Sequence, residues 1–165
     1  MANEVYTRTN QALFFTRRAL DAWAEAEASD ALDALSLVQY HREHAIFHLY
    51  RGVLAVVHEV ADRYRWPLVE LRQVEAALLP SVVARFPGPE LAELTELADN
   101  RETWLARLLA AWQQLQAPPL PEASANSLIA SSAVKGGEWG LAEAQEAWAA
   151  LSERVRSYRE GMVEW

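Results

Sequence analysis

Between Leu35 and Asp62 the chain carries a broad run of apolar residues together with all four of its histidines, and only a helix sorts the two sets onto separate faces. At about 3.6 residues per turn, Leu35, Val38, Ile46, Leu49, Val53, Val56 and Val60 form one arc, which Phe47, Tyr50, Leu54 and Val57 widen to about half the circumference. His41, His44, His48, Arg51, Ala55, His58 and Asp62 form the opposite arc, roughly 100° wide, with Glu59 at its edge. An apolar face that broad packs against more than one neighbour, so this stretch is expected to be the central helix of a bundle.

The remaining chain supplies its neighbours. Tyr6, Thr9, Leu13, Thr16, Leu20 and Trp23 alternate steps of three and four, which predicts a first helix over Asn3–Glu27. Phe14 and Phe15 lie off that seam, and either widen the buried face toward a second neighbour or mark a contact with another chain. Ser29 or Asp30 is placed to cap the second helix, which is expected to reach Arg65 before Trp66-Pro67 stops it. Its seam includes Arg42, either at a frayed bundle end or paired in a buried polar layer. A third helix from Leu68 meets a kink or break at Pro80, and Pro87-Gly88-Pro89 is a turn.

A fourth helix is expected over Glu90–Gln116, with Arg101 as its one charged seam position and Glu59 and Asp62 as candidate partners for that charge. Ala117–Gly137 reads as a long connection, expected to be anchored on the bundle at Leu128 and Ile129. Leu141, Ala144, Trp148, Leu151, Val155, Tyr158 and Met162 define a last helix beginning near Glu138. The pattern predicts an all-α fold: a mostly antiparallel bundle of four to five helices in a single domain over 1–165, with the long loop before the last helix.

Composition narrows the function classes. Cysteine is absent, which removes disulfides, thiolate metal sites and cysteine nucleophiles. The net charge of −8 is the wrong sign for a phosphate-rich partner, so no nucleic acid is expected. No apolar run approaches the roughly 18 residues of a membrane span and none resembles a signal peptide, so no membrane partner and a cytoplasmic location are expected.

The histidine arc invites two chemical readings. His44 and His48, one turn apart, could share a metal ion, with His41 a turn earlier. Neither a Glu-x-x-His pair nor His-Glu-x-x-His accompanies them, so no cofactor is assigned. Four titratable rings on a solvated boundary is the plainer reading. Arg42 to His48 and Arg51 to His58 each match a loose arginine–histidine spacing, and the bundle looks similar to the HEPN (higher eukaryotes and prokaryotes nucleotide-binding) class, whose ribonuclease members use that motif; there a histidine would move a proton and an arginine would steady a phosphate.

Met1-Ala2-Asn3-Glu4-Val5-Tyr6-Thr7-Arg8-Thr9-Asn10-Gln11, Glu43-His44-Ala45-Ile46-Phe47-His48-Leu49-Tyr50 and Asn126-Ser127-Leu128-Ile129-Ala130 together resemble a family of uncharacterised bacterial proteins, grouped as a domain of unknown function. The resemblance covers nearly the whole chain. It implies a bacterial, cytoplasmic, single-domain helical protein and assigns no activity and no catalytic residue. The expected role is therefore contact with another protein or with a second copy, suggested by large aromatics beyond one seam, including Phe14, Phe15 and Trp165. The competing expectation is a metal- or nucleotide-dependent enzyme using His44, His48 and Arg51.

Overall fold

The computed structural model describes residues 2–118 and 139–163, with seven helices and no strand among them. These are α1 (Ala2–Glu27), α2 (Ala34–Tyr64), α3 (Val74–Ala77), α4 (Pro80–Arg85), α5 (Pro89–Asp99), α6 (Trp104–Gln116) and α7 (Leu141–Val163). The fold is all-α, and no described helix is long and apolar enough to cross a membrane. The anchoring expected at Leu128 and Ile129, the start of the last helix at Glu138 and the aromatic contact expected of Trp165 all lie outside the described residues.

The helix count exceeds four to five because two expected long helices are each divided. The third helix does not start at Leu68; its first turns are irregular until Val74. The reason is sideways bonding to α2: His58 takes the Leu71 carbonyl and the Tyr50 hydroxyl takes the Val74 N–H, so these backbone groups are satisfied without a helix. Pro80 then opens α4 at its first position, giving a clean break instead of a kink.

The fourth helix is interrupted between Asp99 and Trp104. The Asn100 side chain accepts from the Glu102 N–H at 3.1 Å, and Thr103 caps α6 by accepting from the Ala106 N–H at 3.2 Å. Such short polar side chains offer the backbone an alternative to helical bonding. Arg101 consequently sits exposed in the turn, which corrects its expected seam position and its pairing with Glu59 or Asp62.

α2 starts at Ala34, later than a cap at Ser29 or Asp30 would place it, because the Ser29 hydroxyl accepts from the Ala31 N–H within the hairpin turn. Its far end stops where Trp66-Pro67 predicts. Arg65 adopts the left-handed conformation at φ 58°, and the Trp66 N–H reaches back to the Ala61 carbonyl at 2.8 Å, closing the helix in the Schellman manner.

The core forms around α2, which packs against α1, α3, α5, α6 and α7. Ala45, Ile46, Leu49, Val53, Val56, Val57 and Val60 are all buried there. Gly52 lets three helices meet: a Cβ at this position would stand 3.0 Å from Leu151 of α7 and 3.6 Å from Ala12 of α1. α1 runs antiparallel to α2, with Phe15 beside His48 and Thr9 beside Glu59. α7 runs parallel to α2, since Arg42 meets Trp139, Glu59 meets Arg159 and Arg63 donates to the Met162 carbonyl. Two members of the expected apolar arc are exposed, Leu35 at 85% and Phe47 at 46%, and Val38 and Leu54 are half-buried.

Candidate functional site

The histidine arc of α2 is a boundary covered to different depths along its length, chiefly by α1. At its N-terminal end the rings form a continuous ladder. Tyr40 lies 5.1 Å from His41 and 4.2 Å from His44, His44 lies 6.0 Å from His48, and His48 meets Phe15 at 5.3 Å and Phe47 at 5.1 Å, both edge-on. Phe14 extends the ladder from Phe15, and Trp112 of α6 extends it from Phe47 at 6.2 Å. Phe14 is 60% exposed and Tyr40 53%, and His44 is exposed beside them. Phe14 thus faces solvent, while Phe15 is half-buried against α2.

His48 sits between these rings with its Nδ1 buried and without a hydrogen-bond partner among the described residues. Burial lowers its pKa below the ordinary 6.5, and His44 and Arg51 push it further the same way. Arg51 leans on α1, donating to the Gln11 side chain at 3.3 Å.

About two turns beyond Arg51, the arc closes into the core. The buried Glu59 carboxylate accepts from the Thr9 hydroxyl at 2.8 Å and from Arg159 at 2.7 and 3.1 Å. Arg159 also donates to Asn10 and lies 4.7 Å over the Tyr6 ring. α1, α2 and α7 are joined through this single guanidinium. His58, buried, stands 2.8 Å from the Leu71 carbonyl, so its Nε2 carries the proton and donates. Burial lowers its pKa, with the positive charges of Arg72 and Arg8 adding to the effect against the opposing Leu71 bond. Asp62 is exposed.

Tyr50, counted in the apolar arc, carries a polar cluster that periodicity does not signal. Its hydroxyl donates to Glu75 at 2.6 Å and accepts from the Val74 N–H at 2.9 Å, while Glu75 takes a second bond from Gln113. Its ring stacks on Trp112 at 4.2 Å. Burial and the Glu75 bond hold the phenol well above its ordinary pKa.

The chemical readings of the arc find little to work with. Among the described residues no group of three or more His, Asp or Glu is placed to hold a metal ion, so His44 and His48 lack a third ligand. The two arginine–histidine pairs are separated: Arg42 is buried with its Nε on the Trp139 carbonyl, while His48 faces Phe15 and Phe47. His58 has its Nε2 committed to backbone. A cavity of about 590 Å3 opens between Arg63, Glu90 and Met162, and one of about 410 Å3 beside Arg156 and Arg159, both away from His44 and His48.

No curated protein and no solved structure matches this chain. A model described as a family of unknown function (DUF6586) matches residues 1–165, and the chain belongs to that family.

Proposed function

We propose that this protein is non-catalytic and acts through protein–protein contact, using the ring ladder of α1 and α2 as its face. The observation that supports this reading is the exposure of Phe14, Tyr40 and Phe47 as neighbouring aromatics on two rigid, mutually packed helices. Exposed apolar surface of this kind costs solubility, and Tyr and Phe are the residues that dominate interface cores. Beside the rings stand His41 and His44, each in contact with Tyr40, and Arg51, whose charge acts on His48, on a chain of net charge −8. A partner with an apolar surface rimmed by carboxylates would complement it. A cytoplasmic, bacterial setting belongs to the proposal and rests on the absence of cysteine and on the family resemblance.

A photo-crosslinking side chain in place of Phe47, introduced in the native host, tests the reading. A discrete adduct that disappears with Phe14→Asp, and that is absent when the crosslinker replaces the exposed Arg156, is the expected result. An adduct of twice the chain mass would identify a second copy as the partner. Equal labelling from both positions, or none from Phe47, would overturn the proposal. An enzyme using His44, His48 and Arg51 is the competing class: metal retained on purification, or ribonuclease or phosphatase activity lost in His48→Ala, would replace the contact reading.

A further inference from the structure

We propose that the cavity between the C-terminal ends of α2 and α7 and the start of α5 binds a small zwitterion of the amino-acid class, with its carboxylate on Arg63 and its ammonium on Glu90. The cavity holds about 590 Å3, within the usual range for a small-molecule site, and is walled by Arg63, Tyr64, Pro89, Glu90, Gly161 and Met162. Arg63 lies about four turns along α2 from His48, so the proposal stands independently of the ring ladder and its partner.

Two opposite charges line this cavity without answering each other. Among the described residues neither Arg63 nor Glu90 takes part in an ion pair. Arg63 donates to the Met162 carbonyl, which occupies one nitrogen of a guanidinium that carries five N–H donors. Glu90 accepts from the Tyr64 hydroxyl at 3.0 and 3.3 Å, and an ionised carboxylate has about four acceptor positions. Both groups therefore keep hydrogen-bonding capacity on one cavity wall. A ligand that is only an anion would meet Glu90, and one that is only a cation would meet Arg63; a zwitterion satisfies both. The Tyr64 ring is held by Trp66, stacked on it at 4.5 Å, so the Glu90 side is preorganised. Pro89 and the buried Met162 supply apolar wall for the ligand side chain.

Gly161 is an independent sign that this space is kept open. Glycine weakens a helix, yet Gly161 stands inside α7, two residues before its end. No described glycine has positive φ, so Gly161 is not a left-handed cap. A Cβ there would meet nothing within 4 Å, so no close helix contact requires it either. Its position is on the cavity wall, where a longer side chain would enter the space a ligand needs.

NMR chemical-shift titration of the full chain with leucine, leucinamide and isocaproate tests the assignment, because the second probe lacks the carboxylate and the third lacks the ammonium. Leucine should bind about tenfold more tightly than either analogue, the effect of one charge-assisted contact. Arg63→Gln, which keeps a donor for the Met162 carbonyl, should weaken leucine about tenfold and leave leucinamide unchanged. Glu90→Gln should weaken leucine similarly and leave isocaproate unchanged. Gly161→Leu should abolish binding while raising the thermal midpoint, which separates a filled cavity from a damaged fold. Equal affinity for the three probes, no saturable binding of leucine at millimolar concentration, or undiminished leucine binding in Gly161→Leu would overturn the proposal.

Discussion

Arg159 of α7 grips the Glu59 carboxylate of α2 through paired bonds of 2.7 and 3.1 Å, across one hundred positions of sequence. Glu59 is buried, and Thr9 of α1 completes its coordination. Removing only the cation leaves a buried charge without compensation, so Arg159→Met should destabilise the fold by about 3 kcal/mol, the low end for breaking a buried pair because Arg159 is partly exposed. Adding Glu59→Gln should recover a large part of the loss. Urea unfolding of the two single variants and the double variant measures the coupling; equal losses in Arg159→Met and the exposed-turn control Arg101→Ala would contradict it, since Arg101→Ala should stay within about 0.5 kcal/mol of wild type.

Stability should fall as the solution is acidified below neutrality. His48 and His58 both have folded-state pKa values below the ordinary 6.5, chiefly from burial. The unfolded chain therefore binds protons first on acidification. The stability associated with neutral His58 and His48 is fully present above about pH 7.5 and is lost as pH drops through 6.5 toward the lowered folded values. His58→Gln keeps a donor for the Leu71 carbonyl and removes the titration. Its urea midpoint should vary less between pH 7.5 and 5 than that of wild type; an unchanged slope would count against His58 as a contributor.

Gly88 caps α5 with the Trp66 ring laid against it. A Cβ there would fall 2.6 Å from Trp66 Cη2, and that ring is already stacked on Tyr64 at 4.5 Å and packed on Phe86. The backbone of Gly88 is extended, so the penalty in Gly88→Ala is steric alone. A loss of about 1 to 2 kcal/mol is expected, with a shift in tryptophan emission as Trp66 is displaced. A fully wild-type thermal midpoint and spectrum would show that the ring yields freely.

Arg65→Gly should stabilise the protein. Arg65 holds φ 58° to close α2 and is exposed, so its side chain has little packing to lose. Relief of about 1 to 2 kcal/mol of left-handed strain, less the roughly 0.4 to 1 kcal/mol by which glycine favours the unfolded chain, leaves a net gain of about 0.5 to 1 kcal/mol. A lower denaturation midpoint would indicate that the Arg65 side chain contributes more than its exposure suggests.

The sequence alone determined the helical class, the extent of α1, the stop of α2 at Trp66-Pro67 and most of the buried faces of α1 and α7, with Tyr6 of the α1 seam exposed instead, because periodicity and proline act over a few residues and need no partner to be read. The same local signals placed all four histidines on one face of α2. What they could not determine was how deeply each was covered. His58 and His44 share that face, yet one is buried on a backbone carbonyl and the other is exposed, and only the packing of α1 and the Leu68–Gln73 segment decides between them. Likewise Arg101 and Arg42 both occupied seam positions in sequence. Tertiary structure put Arg101 in a solvent turn made by Asn100 and Thr103 and buried Arg42 at Trp139, and it gave Glu59 to Arg159, a residue no local pattern connects to it. Burial and ion pairing are properties of neighbours distant in the chain, and those neighbours exist only once the helices have packed.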